Sequence, residues 1–279
     1  MVKYELLPEQ LLYEGTVSED QFFHPKPLDE QTILLTHDKV YWEKLKNQQL
    51  SNKEIRAIGF PMSELLVRRG THIANGTVQC AIYAKQYGVA LNIAGGTHHS
   101  FTNRGEGFCL LNDIAIAANY LLFHKLASKI LIIDLDVHQG NGTAQIFKNE
   151  KRVFTFSMHG EKNYPVRKEQ SDLDIGLPDK TTDQPYLKIL REQLPLLIDK
   201  VEPDIVFYLS GVDVLESDQL GRLSLSISGT RIRDRLVFEH CKKNGIPVAV
   251  SMGGGYSNRL AHIIEAHANT FRLAQEIFF

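Results

Sequence analysis

The sequence predicts an α/β fold: a single domain of three layers, α/β/α, built on a central, mainly parallel sheet. Three observations predict it. Six short apolar runs, rich in β-branched residues, recur along the 279 residues. They are continuous rather than alternating, as in strands buried on both faces. Helical patterns lie between them, and strands alternating with helices make parallel sheets. No repeat and no Pro/Gly/Ser linker interrupts the chain, so residues 1–279 read as one domain.

The first run, "TILLT" (32–36), reads as a strand. "THIANGTVQCAIYAKQYG" reads as a helix closed by Gly88, a residue suited to the turn after a helix. "VALNIA" (89–94) reads as the next strand, and "NDIAIAANYLLFHKL" as a helix with Asn112 in the capping position. Two strands follow, "KILIIDLDV" (129–137) and "VFTFSM" (153–158). "DQPYLKILREQLPLLIDKV" is helical in pattern, but Pro195 should kink or divide it. "DIVFYLS" (204–210) is a strand. The helix of "SGTRIRDRLVFEHCKKNG" should start near Ser228 and end near Gly245, with Lys242 and Lys243 in its last turn. "IPVAVSM" (246–252) completes the set.

Composition narrows the function. Hydrophobic residues make up 43% and charged residues 23%, as in ordinary soluble proteins, and the formal charge is −2. No global basic field exists to attract nucleic acid or an anionic membrane. No apolar run approaches the roughly 18 residues of a membrane span, and "MVKYELLPEQLL" lacks the apolar core of a signal peptide. Cys80, Cys109 and Cys241 are widely spaced, the usage of a reducing compartment, so the cytoplasm is expected, or the nucleus in a eukaryote.

In parallel α/β sheets, sites form beyond the carboxyl ends of the strands. Four strand ends here carry chemistry beside glycine. "GGTHHS" places His98 and His99 after one strand, and "DLDVHQGNG" places Asp134, Asp136 and His138 at alternate positions of another. Alternate strand residues share a face, and buried carboxylates are costly without a partner. "GVDVLESDQLG" adds Asp213 and "GGGYS" adds Tyr256. Asp136, His138 and Asp213 supply two carboxylates and an imidazole. Three protein ligands with an open position describe a catalytic zinc. The two histidines could take a proton from water and stabilise charge, and the Tyr256 phenol could donate to an oxyanion. Together these parts describe metal-assisted amide hydrolysis. Apart from Asp-x-Asp-x-His, which favours a metal even alone, each motif is weak by itself: tandem histidines are more often structural, and "GGGY" does not fit the GxGxxG phosphate fingerprint.

With these residues in hand, the sequence resembles the histone deacetylase family, of the arginase/deacetylase fold, from about residue 30 to 272. The matching motifs are "GGTHHS", "GEGFCLLND", "IIDLDVHQGNGT", "SMH", "GVDVLESDQLGRLSLS" and "MGGGYS". "GFPMSELLVRR", "DQLGRLSLS" and "RDRLVFEHCKKNGIPV" are closest to class IV members and their bacterial relatives. The resemblance implies zinc on Asp136, His138 and Asp213. It implies His99 as general base, His98 as its charge-stabilising neighbour paired with Asp134, Asn141 orienting His99, and Tyr256 as oxyanion donor. It implies Gly107, Phe108 and Tyr164 as walls of a narrow acyl-lysine tunnel. It also implies a potassium ion held by the Asp134 carboxylate, the backbone carbonyls of Asp136 and His138, and the Ser157 hydroxyl. His159 falls near the site by the same likeness.

Three departures stand out. Asn141 occupies a position that is Asp in class I, and an amide should leave His99 less basic. The loop before "GFP" is short and holds no evident rim acid to grip a peptide backbone. "HPKPL" lacks the Arg that usually follows in the family, so the internal product-exit channel should differ. Elsewhere the plainer reading stands: Cys109 as packing, and His37, His72, His240, His262 and His267 as surface or helix-end histidines. The expected activity is zinc-dependent deacylation of an Nε-acyl-lysine in a protein or peptide. Alternatives are deacetylation of small acetylated amines such as polyamines and a catalytically silent acyl-lysine-binding module. A two-manganese ureohydrolase is disfavoured, because no second ligand set follows "DLDVHQGNG".

Overall fold

The structure, a computed structural model, describes residues 2–279. Its elements begin with helices α1 (Lys3–Tyr13), α2 (Glu30–Ile33), α3 (Lys39–Lys46), α4 (Asn52–Ile58) and α5 (Glu64–Tyr87). Strands and helices then alternate: β1 (Val89–Asn92), α6 (Asp113–Phe123), β2 (Ile130–Asp134), α7 (Asn141–Phe147), β3 (Val153–Gly160) and β4 (Leu173–Leu177). The remainder runs α8 (Asp183–Val201), β5 (Ile205–Leu209), α9 (Ile227–Lys243), β6 (Val248–Ser251) and α10 (Leu260–Phe278).

The six strands form one sheet in the order β1-β6-β5-β2-β3-β4, and every pairing is parallel. Side chains alternate between its two faces. Ile130, Ile132, Ile205 and Phe207 pack under the layer containing α5 and α6. Leu131, Ile133, Val206 and Tyr208 pack against α8, α9 and α10. Burial on both faces explains the continuous apolar runs. No helix among the described residues is long and apolar enough to cross a membrane.

Local chemistry sets the helix starts. Ser63, Asn112 and Ser226 each accept a hydrogen bond from a first-turn N–H of α5, α6 and α9, so α5 starts upstream of the expected segment. Gly88 closes α5 with φ of 91°, in the region glycine tolerates.

Three expectations need correction. "TILLT" is not a strand. Asp29 accepts from both the N–H and hydroxyl of Thr32, which starts the short helix α2 instead. The sixth strand is β4, "LDIGL", at the sheet edge beside β3. Of the two outcomes expected at Pro195, a kink or a division, division does not occur: α8 runs unbroken over 19 residues. Its apolar stripe of Leu187, Leu190, Leu194, Leu197 and Ile198 is buried on the sheet, and that packing outweighs the one lost hydrogen bond.

The strand order builds the site. β1, β6, β5 and β2 are consecutive neighbours. Their carboxyl ends lead into the His-His, Tyr256, Asp213 and Asp-x-Asp-x-His segments, so four motifs distant in sequence meet on one rim.

Candidate metal centre and its pocket

Asp136, His138 and Asp213 are buried, and one ligand atom from each lies within 4.8 Å of the others. His138 Nδ1 is 3.1 Å from Asp136 Oδ1 and 3.2 Å from Asp213 Oδ2. Backbone N–H groups hold the carboxylates: those of His138 and Gly254 donate to Asp136 at 3.0 and 2.9 Å, and that of Val137 to Asp213 at 3.0 Å. Asp213 Oδ2 makes no hydrogen bond of acceptable geometry despite its contact with His138. Burial, with the Asp136 charge beside it, pushes the Asp213 carboxyl up to about 7. Burial works against a charged His138, but the two carboxylates win and lift it to about 10. Two facing buried carboxylates with an orphaned oxygen call for a cation. Two oxygens and one imidazole, with a side left open, fit a divalent ion of the zinc type. A Cβ on Gly254 would collide with the Asp213 carboxylate, so the close approach of this loop requires glycine.

Beside this group lie two stacked imidazoles, His98 and His99, with ring centroids 4.1 Å apart. His98 Nδ1 donates to Asp134 Oδ2 at 2.6 Å, and His99 Nδ1 donates to Asn141 Oδ1 at the same distance. The partners differ in charge, and the imidazoles respond oppositely. Burial disfavours a charged His98, yet the Asp134 carboxylate raises it to about 9. Burial, with His98 and His138 alongside, holds His99 well below its ordinary value. Asp134 also accepts the Asp136 N–H at 3.1 Å.

The loop carrying these histidines is tied to the start of α6 by Asp113, which no motif singled out, and by the expected cap Asn112. Buried Asp113 accepts from Gly96 N–H, Thr97 N–H and the Thr97 hydroxyl at 3.1, 2.7 and 2.6 Å. The Asn112 amide donates to the Ser100 carbonyl at 3.0 Å while its oxygen caps α6. The Asn112 cap is as expected from "GEGFCLLND", whereas the ties of both residues to the histidine loop act across long separations that no short window displays.

A pocket of about 90 Å³ connects these groups, lined by His98, His99, Asp136, His138, Phe108 and Tyr256 among others. The Tyr256 N–H donates to Asp218 Oδ2 at 2.6 Å. Burial, with Asp213 and Asp136 nearby, pushes the Tyr256 phenol well above its ordinary value, so it stays protonated. Phe108 is 6.3 Å from the Tyr256 ring, and the Tyr164 ring stands edge-on to His99 at 4.9 Å. A Cβ on Gly107 would strike the His99 ring. Gly107, Phe108 and Tyr164 are thus brought beside the histidines. Glu106, within the quoted "GEGFCLLND" motif, accepts from the Tyr164 hydroxyl at 2.8 Å and from Arg104 at 2.7 Å. The lining also includes Lys3, whose amine donates to the Gly253 carbonyl at 3.2 Å, and Arg69.

Ser157 is in register with Asp134 across the sheet, and its hydroxyl is 2.9 Å from His159 Nδ1. Burial lowers His159 to about 4. Two histidines were misplaced by pattern. His37 is buried outside any helix, its Nδ1 donating to the Phe101 carbonyl and its Nε2 accepting the Asn112 N–H, each at 3.0 Å. His267 is fully buried on α10 without a hydrogen-bond partner among the described residues. Cys109 is buried and free, like Cys80 and Cys241.

Comparisons with known proteins identify the family. The chain is 42% identical over 278 residues to an uncharacterized protein of Picosynechococcus sp., covering 100% of this chain and 93% of that one. It is 30% identical over 263 residues to histone deacetylase 2 of Arabidopsis thaliana, covering 91% of this chain and 68% of the relative. The crystal structure of an HDAC homolog from Aquifex aeolicus superposes with a TM-score of 0.82 at 26% identity, over 95% of this chain and 76% of that one. Residues 1–271 match the model of the histone deacetylase domain. The chain belongs to the histone deacetylase family.

Proposed function

We propose that the chain is a single catalytic domain, residues 1–279, that hydrolyses the amide of an Nε-acyl-lysine in a protein or peptide with zinc as its metal. The observation that carries this reading is the convergence of Asp136, His138 and Asp213, with an unpartnered Asp213 oxygen, beside two imidazoles of opposite electrostatics. Zinc on those three residues would polarise the acyl carbonyl and make a water molecule more acidic.

The chain's own groups supply the rest. His99 donates from Nδ1 to the Asn141 oxygen, which leaves Nε2 free to take a proton from the attacking water. His99 then returns that proton to the departing lysine amine. His98, kept cationic by Asp134, stabilises the negative charge that develops. The protonated Tyr256 phenol donates to the same oxyanion. Phe108 and Tyr164, with Gly107 between Phe108 and His99, would flank the lysine stem and exclude water. A potassium ion on the Asp134 carboxylate, the Asp136 and His138 carbonyls and the Ser157 hydroxyl would stiffen the strand end beneath.

The test is turnover of lysine peptides bearing acetyl, short-chain and long-chain acyl groups by zinc-loaded protein, with an acetylated polyamine alongside. Peptide turnover that vanishes in His99→Ala supports the reading. Turnover of the polyamine alone would transfer the activity to small amines. Stoichiometric metal without turnover would leave a binding module.

A further inference from the structure

Arg233 on α9 is fully buried, lies outside the pocket lining and hydrogen-bonds to none of Asp136, His138 and Asp213. Its Nη1 donates to the Gly211 carbonyl at 2.6 Å and to the Leu135 carbonyl at 3.3 Å. Asp234 neutralises it, with Nε and Nη2 each 2.8 Å from Asp234 Oδ1. Asp234 in turn accepts the hydroxyls of Tyr208 on β5, at 2.5 Å, and Thr270 on α10, at 2.6 Å. A buried ion pair is weak evidence of stabilisation, because desolvation offsets its attraction. Its contribution is to be sought in geometry.

Both carbonyls belong to peptide units that serve the site from their other side. In a trans peptide, C=O and N–H point in opposite directions. The unit joining Leu135 to Asp136 presents its oxygen to Arg233 and its N–H to Asp134, the partner of His98. The unit joining Gly211 to Val212 presents its oxygen to Arg233 and its N–H to the Gly254 carbonyl at 3.0 Å. Gly254 donates to Asp136, and Asp213 follows Val212 directly. One guanidinium therefore spans the bases of both strand-end loops that carry acidic ligands.

We propose that Arg233, held by Asp234, is a positioning residue that fixes the spacing of Asp136 and Asp213 and so sets the affinity of the centre for a divalent metal. This rests on the metal reading given above. Groups behind metal ligands typically change affinity by about 10–100-fold when removed.

The experiment is competition of the full-length protein with a chromophoric chelator for Zn²⁺, together with the visible absorption of bound Co²⁺. Arg233→Met, Arg233→Lys and Val237→Ala are compared with wild type. Val237, buried in the apolar core one turn along the same helix and outside the pocket lining, controls for general loss of stability. Arg233→Met should bind Zn²⁺ at least about tenfold more weakly than Val237→Ala and shift the Co²⁺ bands. Arg233→Lys, which keeps the charge but not the fork, should fall between wild type and Arg233→Met. If Arg233→Met does not fold, Arg233→Lys decides alone: affinity and spectrum equal to wild type overturn the proposal. Equal losses in Arg233→Met and Val237→Ala also overturn it, leaving Arg233 with a merely structural role. Failure of wild type to bind stoichiometric metal would instead sink the metal reading and the proposal with it.

Discussion

Asn141→Asp isolates a single electrostatic choice. His98 and His99 are both buried and each donates from Nδ1 to an oxygen 2.6 Å away, yet only His98 faces a carboxylate. His98 is raised to about 9 and His99 is held well below its ordinary value. A carboxylate at position 141 would place a negative charge about 4 Å from the centre of the His99 imidazolium, which at an effective dielectric of about 20 is about 4 kcal/mol. That is an upper limit of about three pKa units for His99. The new acid would share the site with Asp134 and Asp136, and repulsion among them reduces the gain, so about one to two units are expected. The assay is the pH dependence of kcat/KM on an acyl-lysine peptide, whose ascending limb reports the free enzyme's base. A more basic His99 stays protonated to higher pH, so the ascending limb should move upward. A limb within about 0.3 units of wild type, or displaced downward, would refute His99 as the titrating base.

Further expectations follow from the same geometry. Tyr256→Phe should keep its metal and lose about 10²–10³ in rate, the usual effect of one oxyanion donor; unchanged turnover with full zinc content would remove Tyr256 from the mechanism. In Gly140→Ala the new methyl would collide with the Asp134 carboxylate and lie 3.2 Å from His98 Nδ1, so kcat should fall at least about tenfold while metal content holds; a fully active variant would show the His98–Asp134 pair to be dispensable. Extraction of metal should abolish turnover and Zn²⁺ should restore it, and activity that survives extraction would contradict a metal mechanism. Burial lowers His37 from 6.5 to about 4, so the folded state binds its proton less readily than the unfolded chain. Its contribution is complete above pH 6.5 and is lost as pH falls through 4, by about 3 kcal/mol at the lower end. Urea midpoints should therefore drop across that window, and less steeply in His37→Gln; equal slopes would mean that His37 is not the group responsible.

Much of the fold was legible because burial on both sheet faces writes itself into short windows. Five of the six expected strands correspond to β1, β2, β3, β5 and β6. The failures have local causes. "TILLT" carries the apolar content of a strand, but Asp29 immediately upstream closes a helical turn that composition does not register. "LDIGL" carries little strand signal because it is an edge strand, half-exposed and interrupted by Asp174 and Gly176, which dilutes its apolar content. Pro195 was weighted by its intrinsic cost, whereas the buried stripe around it decides the helix.

The site divides along the same line. Groups that meet at the candidate metal centre were legible because strand ends place them within a few residues of glycine and of each other, and because the donor set a metal would require is chemically restrictive. The groups that hold them were not, because each acts across long separations in sequence and looks ordinary in its own window. Asp113 reads as the first residue of a helix, yet it anchors the histidine loop sixteen residues upstream. Arg233 reads as one more charge on an amphipathic helix, yet its carbonyl partners lie 98 and 22 residues away. Only the parallel order β1-β6-β5-β2 brings those separations to hydrogen-bond distance. A candidate centre of this kind therefore has two layers of information. The ligand chemistry can be read along the chain, while the geometry that tunes it exists only once the sheet has closed.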